Sequence, residues 1–442
     1  MDAVQQTLSE KPAPAAALKP SGARHWVVGF AVVLAVITYI DRVALAQAAP
    51  QLTADLGLSQ VQLGWAFSAF GFAYFLFQIP GGWLSDWIGP RRVLTGIVLW
   101  WSLFTAATGW AWNFASLVIA RFLFGAGQGG GFPVLTKTFT TWLPSRERVR
   151  AQGVMWLSAR WGGAFTPLLV VSLLQFLSWR RAFELFAVLG VIWAVVFFRW
   201  FRDSPAEHKG VNAAELALVP SGTAEAAGRD GHVPWGKILR SKTVWALWLQ
   251  YYCMSHGWYF YITWLPTYLQ EARGVPFEGS AVLAGLPLFF GGLGSISCGF
   301  LLSRIERTAG GAARARRFMA ALGCFLAGTL LAVSVHISSP LWAMILIGLA
   351  SFSNDLAMPP GWGACMDVGG RFAGTLSGSM NAAGNVSGFV APASVAYLLV
   401  WTGQNWDVTF YVSAAIYFIG AACWFVIDPV TPLEKREDLG SI

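Results

Sequence analysis

Six ionisable side chains stand in surroundings that are otherwise almost wholly apolar: Asp41, Arg42, Arg121, Arg160, His256 and Asp355. A guanidinium is the group best shaped to grip a carboxylate through two parallel hydrogen bonds. A carboxylate in such surroundings is pulled toward neutrality by desolvation and toward charge by a neighbouring arginine, so its proton responds to what binds nearby. Arginines set beside Asp41 therefore point to capture of an anion linked to proton movement. Other chemistries lack their residues. Cys253, Cys298, Cys324, Cys365 and Cys423 lie in apolar segments without CxxC spacing, so neither a metal site nor a disulfide framework is expected. Gly127-x-Gly129 has no strand before it and no Lys-Ser/Thr after it, which excludes a phosphate loop. The expectation is a protein that is not an enzyme and needs no cofactor.

The elements that must carry these groups follow from composition. The chain has 442 residues, 56% hydrophobic and 12% charged. Soluble proteins carry roughly 25% charged residues. A spanning helix needs about 20 mostly apolar residues, and twelve such spans are read at 25–48, 60–84, 92–111, 114–136, 148–176, 182–200, 241–270, 280–303, 315–335, 341–362, 372–400 and 407–427. The runs are continuous instead of alternating, which favours helices over a closed β-barrel. The fold class expected is an all-α membrane protein of twelve transmembrane helices. Residues 1–24 form a tail without a cleavable signal, 25–200 one six-helix bundle, 201–240 a polar linker with a short surface helix, 241–427 a second bundle and 428–442 a tail. The net charge of +8 does not imply a nucleic-acid partner, because 24 of the 30 Lys and Arg fall in segments on one side if the N-terminus is cytoplasmic. That asymmetry predicts cytoplasmic termini and a cytoplasmic linker.

A charge at the bilayer centre costs about 2.5–3.5 kcal/mol on insertion scales, so each one needs a reason. At 1.5 Å per residue, Asp41 and Arg42 lie about 23 Å along span 1 from the inside. Arg121 and Arg160 each lie about 18 Å from the inside of a ~30 Å core. Three guanidiniums thus fall in one layer with Asp41 as the acid, a formal excess of two positive charges. That excess favours a substrate with two carboxylates, such as an aldarate, over a hexuronate. Plainer readings stand beside this one. Arg42 can reach toward the outer interface, Arg160 can pair with an acid of a neighbouring helix, Asp355 can line the cavity or cap a helix broken at Pro359-Pro360, and His256 can be a packing residue.

The two halves repeat. Gly82-Trp-Leu-Ser-Asp86 is answered by Gly299-Phe-Leu-Leu-Ser303, Gly163-Ala-Phe-Thr-Pro167 by Gly388-Phe-Val-Ala-Pro392, and Pro133 by Pro359, at a nearly constant offset. Six-plus-six repeats belong to secondary transporters with a site near the midplane. The stretch Gly82-Trp-Leu-Ser-Asp86-Trp-Ile-Gly89-Pro-Arg91-Arg92 resembles the loop 2–3 signature of the major facilitator superfamily. Tyr39-Ile-Asp41-Arg42, Trp264-Leu-Pro-Thr-Tyr-Leu269 and Gly378-Ser-Met-Asn381-Ala-Ala-Gly384-Asn385 resemble the anion:cation symporter family, which includes bacterial hexuronate, galactonate and glucarate transporters, sialin and the vesicular glutamate transporters.

The resemblance implies proton-coupled import of an organic anion by alternating access, through a monomer in the cell inner membrane. It implies substrate contact at Tyr74, Asn381 and Asn385 and a substrate or coupling role at Arg121; the guanidinium layer adds Arg42 and Arg160 as substrate contacts, Gln128 is counted with them, and Asp41 is the candidate proton carrier. Gln128 departs from the pattern, since galactonate and glutamate transporters carry a titratable Glu there. Asp86, Arg91 and Arg92 read either as a conformational latch or as a solvated turn. Tyr252, Tyr259 and Trp264 of span 7 are candidates for stacking or gating, and His256 and Asp355 are weaker site candidates. Two other readings remain open. Phosphate-ester exchange uses arginines from both halves in related exchangers, and span 7 has none. A non-transporting membrane sensor would need a signalling domain that 201–240 is too short to form.

Overall fold

The computed structural model describes residues 19–219, 233–276, 283, 285–308 and 310–434. Residues 1–18 and 435–442 of the expected tails, 220–232 of the expected linker, 277–279, and 280–282 and 284 of span 8 lie outside the described residues. The first half comprises α1 (Ala23–Leu56), α2 (Gln60–Ile88), α3 (Pro90–Gly109), α4 (Phe114–Gly129), α5 (Gly131–Trp142), α6 (Ser145–Leu174) and α7 (Trp179–Trp200). Two short helices, α8 (Ala213–Leu216) and α9 (Trp235–Arg240), follow. The second half comprises α10 (Lys242–Thr263), α11 (Leu265–Glu271), α12 (Leu286–Thr308), α13 (Ala312–Ser334), α14 (Pro340–Gly369), α15 (Ala373–Trp401) and α16 (Trp406–Cys423). Because α4 continues into α5 and α10 into α11, these make twelve rods, six in each half. Among the described residues, eight helical runs are by themselves long and apolar enough to cross a membrane. Apolar side chains such as Leu103, Ile119, Leu168, Val196, Phe325 and Val400 face outward, as suits a bundle whose solvent is hydrocarbon.

Local sequence sets the breaks. Ser59 with Gln62 and Asn113 with Ser116 form reciprocal caps that start α2 and α4. Gly89, at φ 89°, makes the turn between α2 and α3, and Pro90 opens α3 with a ring already set for a helix. Gly129-Gly130-Gly131 and Pro133 interrupt the fourth rod, since Pro133 has no N–H to give the preceding turn. The rod restarts and runs to Trp142, beyond the expected end at 136, and so takes Lys137 inside the bundle, where it is buried. The reading of Asp355 as cap of a broken helix is corrected: α14 runs unbroken through Pro359 and Pro360.

With twelve rods the start of α1 and the end of α16 lie on one face, the termini face. The halves meet through α2 against α15, α6 against α12 and α5 against α15. At the termini face Asp86 accepts hydrogen bonds from the N–H groups of Gly374 (3.1 Å) and Thr375 (2.6 Å) and from the Thr375 hydroxyl (2.7 Å). α15 has no capping side chain of its own. A carboxylate of the first half therefore satisfies free N–H groups of a second-half helix, at the positive end of its dipole. Lys137 pairs with the same carboxylate at 3.1 Å. The expected cluster of Asp86 with Arg91 and Arg92 is not formed: Arg91 donates to the Phe198 carbonyl and, through its N–H, to Asp203, while Arg92 is exposed. A second cross-link joins Arg148 of α6 and Arg316 of α13 to Asp367 of α14, at 2.5 and 2.6 Å. The connection after α7 belongs to the first half, because buried Glu215 accepts from the N–H groups of Ala23 (3.1 Å) and Arg24 (2.9 Å) and so caps α1.

Close backbone approach makes this closure possible. A methyl group added at Gly82 or Gly374 would overlap the other's carbonyl oxygen, and one at Gly153 would overlap that of Ser295. Gly374→Val is therefore expected to hold the halves apart at the termini face. Spin labels at Arg92 and Arg314, both exposed and in different halves, should move apart in the variant relative to the parent. An unchanged distance distribution would contradict the packing argument.

Candidate functional site

A cavity lies between the halves, lined by Tyr39 and Arg42 of α1, Tyr74 of α2, Phe132 of α5, Trp156 and Arg160 of α6, five residues of α10, Asn354 and Met358 of α14, and Asn381 and Asn385 of α15. Most of the wall comes in helical steps of three or four, the spacing that puts side chains on one face. From α10 the face is Tyr251, Met254, Ser255, Trp258 and Tyr259. Its lining mixes aromatic rings with a few placed polar groups, as small-molecule sites do.

Arg42 is the centre of the polar wall. Its Nε donates to Gln128 Oε1 at 2.7 Å, and its guanidinium lies 4.4 Å from the Tyr74 ring centroid and 5.6 Å from that of Tyr39. Buried Nη2 has no hydrogen-bond partner. Gln128 Nε2 is directed to the Thr38 carbonyl at 3.4 Å, so the amide is held behind Arg42 and does not line the cavity. Asn381 Nδ2 donates to the Tyr74 hydroxyl at 3.3 Å, the Tyr259 hydroxyl to Asn385 Oδ1 at 2.8 Å, and Asn385 Nδ2 to the Asn381 carbonyl at 2.8 Å. These links join α2, α10 and α15 across the halves.

Arg160 differs from Arg42. Its Nε and Nη2 grip Asp355 at 2.9 and 3.1 Å, and its guanidinium stacks on Trp258 at 3.5 Å. This pairing corrects the charge count made from the sequence. The interior layer holds three arginines against two carboxylates, so the formal excess with Asp41 ionised is one, not two. Asp41 and Arg121, each 1% exposed, lie behind the cavity wall. Asp41 Oδ1 and Arg121 Nε and Nη1 have no hydrogen-bond partners, and Arg121 packs over the rings of Phe124 and Phe70. Arg121 and Gln128, expected as substrate contacts, are thus one layer back. His256 is buried with Nδ1 unpartnered and is not on the cavity wall. Trp264 donates to the Pro392 carbonyl at 3.2 Å, also away from the cavity.

Tyr39, Trp156, Tyr251, Trp258 and Asn354 line the cavity and were missed in the sequence. Their signal was the helical spacing to Arg42, Arg160, Tyr259 and Met358. Lys137 was missed because it falls one residue past the expected end of its span. Among the described residues no group of His, Cys, Asp and Glu could hold a metal ion, and the five cysteines are buried and free.

The profile of the Major Facilitator Superfamily matches residues 31–392. The chain belongs to this superfamily. It is 35% identical over 419 residues to the "Probable sulfoacetate transporter" of Cupriavidus necator, covering 94% of this chain and 96% of that protein. It is 29% identical to the "Probable galactarate/D-glucarate transporter" of Escherichia coli, covering 96% and 97%. The solved proton:xylose symporter XylE superposes with a TM-score of 0.74 at 11% identity, covering 95% of this chain and 99% of that one, which establishes the shared fold. Such names agree with the anion:cation symporter resemblance, and the twelve rods in two six-helix repeats are the fold of this membrane transporter superfamily.

Removing one partner of a buried ion pair strands the other charge, at a cost of about 3–5 kcal/mol. Arg160→Met is therefore expected to lower the midpoint of thermal unfolding in detergent, and the double variant Arg160→Met with Asp355→Leu to recover most of the loss. A double variant no more stable than the single one would contradict the pairing.

Proposed function

We propose that the protein is a secondary active transporter that imports a small organic acid anion together with protons by alternating access. The observation that carries this reading is Arg42, a guanidinium on the cavity wall whose Nη2 has no partner and which forms no salt bridge with a carboxylate among the described residues. An acid group of the substrate supplies the missing acceptor. Gln128 fits the same reading: an amide orients Arg42 through Nε without cancelling its charge, which a carboxylate there would do. Tyr74, Tyr259, Asn381 and Asn385 offer donors and acceptors for hydroxyl or carbonyl groups of the substrate, and the aromatic rings cover its carbon skeleton.

Asp41 adjoins Arg42 in sequence and has Arg121 within electrostatic reach. When an anion lands on Arg42, the positive charge holding Asp41 ionised is offset, and the buried carboxylate takes a proton. Anion and proton then cross together, so loading adds no net charge to be carried through the low-dielectric interior. Arg121 acts here as a positioning residue for Asp41. The Asp86 and Asp367 cross-links hold the termini face closed and must break for release on that side. We place that face in the cytoplasm and the protein in the inner membrane, from the basic residues concentrated there. The path runs between the halves of one chain, so a monomer suffices.

Binding by purified protein tests the anchor. Arg42→Gln should weaken a carboxylate substrate by about 10- to 100-fold, the worth of charge-assisted hydrogen bonds. Gln128→Glu should bind nearly as the parent does at low pH, where the introduced carboxyl is neutral, and lose affinity as pH rises and it pairs with Arg42. Parent-like, pH-independent affinity in both variants would refute the role of Arg42.

Proteoliposomes test the coupling. Asp41→Asn should abolish accumulation of a monoanion driven by a pH gradient while retaining exchange of labelled for unlabelled substrate. Undiminished accumulation would assign the proton to another group.

A further inference from the structure

The transport scheme leaves Asp355 unused. Its side chain is fully buried in the second half, yet it accepts from Nε and Nη2 of Arg160 of the first. Ser295 of α12 donates to it at 3.3 Å and Asn354 at 2.8 Å. Tyr261 of α10 and Tyr417 of α16 are within its electrostatic reach. α13 meets this turn of α14 through Gly323, and α15 carries no Asp, Glu, Lys, Arg or His. Arg160 is therefore the cation that compensates Asp355.

Arg160 is also a cavity residue, fixed in position by Trp258. One wall of the cavity thus offers a guanidinium with a vacant arm, Arg42, and another offers a guanidinium occupied by an acid of the protein. We propose that the cavity is a two-point site for organic acids with two acidic groups, and that Asp355 is a second proton carrier that opens the second point. Protonation of Asp355 frees Arg160, and the second acidic group of the substrate takes the place of the carboxylate. This rests on the reading of Arg42 as the anchor for the first.

Counted over Arg42, Arg160 and Asp355 alone, with Asp41 in the same state for both substrates, the charges balance in one way for each. A monoanion on Arg42 neutralises the cavity while Arg160 and Asp355 stay paired. A dianion on both arginines neutralises it only when Asp355 has bound one proton from solvent. A dianion therefore takes up one more proton than a monoanion, and the proton on Asp41, common to both, cancels in the comparison. The exchange also replaces a bond between the halves that the protein makes by itself with one made through the substrate, which ties loading to the relation of the halves.

The test is proton uptake on binding, read with a pH-indicator dye in weakly buffered detergent solution. The probes are D-glucarate against D-galactonate, which share a six-carbon frame, and sulfoacetate against acetate. The unaltered protein is expected to take up one proton more per bound dianion, and its affinity for the dianion to fall about tenfold more per pH unit than that for the monoanion. Asp355→Asn should remove both differences; should that variant not fold, the comparison in the unaltered protein decides alone. Equal proton uptake for monoanion and dianion overturns the inference and leaves the role of Arg42 standing. Extra uptake that persists in folded Asp355→Asn overturns the assignment to Asp355. Binding of none of the four probes removes the acid-anion reading and this inference with it.

Discussion

A guanidinium held in an apolar helix bundle needs a compensating anion, and the middle of this one holds three against two carboxylates. The rest of the structure is arranged around that imbalance. Arg160 is compensated inside the protein, by an acid of the opposite half. Arg121 has Asp41 in its field but no hydrogen bond on two of its nitrogens. Arg42 faces the cavity with an amide behind it and an open arm in front. In a low-dielectric interior an uncompensated charge is costly while water is absent and strongly attractive to an arriving anion. The same physics makes the empty site unfavourable and the loaded one favourable, which a carrier that must reorient with its cargo requires.

Alternating access also needs contacts between the halves that can be undone. Those at the termini face are of this kind. Asp86 reaches across to backbone N–H groups at the start of α15, and Asp367 is shared by arginines from both halves. Small residues bring the helices close enough for such contacts without interlocking side chains. Directional bonds between charged groups and helix ends break over short distances, whereas interdigitated cores would not. Near the midplane the halves are joined instead by groups of the cavity itself, Asn381 to Tyr74 and Arg160 to Asp355. Binding and opening therefore act on overlapping sets of contacts.

Much of this could be read in the sequence, for a physical reason. Uncharged runs of about 20 residues have few other uses than crossing a bilayer, so the twelve rods and the division between halves were visible. Charges within those runs are expensive, so Arg42, Arg160 and Asp355 stood out. Hidden was the partnership of Arg160 with Asp355, which are 195 residues apart and which no local pattern links. The same holds for Asp86, whose partners Lys137 and Thr375 come from other rods, while the adjacent arginines turn away. In span 7 the choice of Tyr252 and Trp264 over Tyr251 and Trp258 failed because a helix apolar all round has no polar face to fix its phase. Lys137 escaped notice through a span end placed one residue short of it.

The central claim is that the vacant arm of Arg42 receives the acid group of the substrate. A cryo-EM or crystal structure with a bound organic acid tests it most directly. The account predicts a carboxylate or sulfonate oxygen at about 2.7–2.9 Å from Arg42 Nη2, with Arg42 Nε still on Gln128. An acid group bound elsewhere in the cavity, with Nη2 of Arg42 still unpartnered, would contradict it.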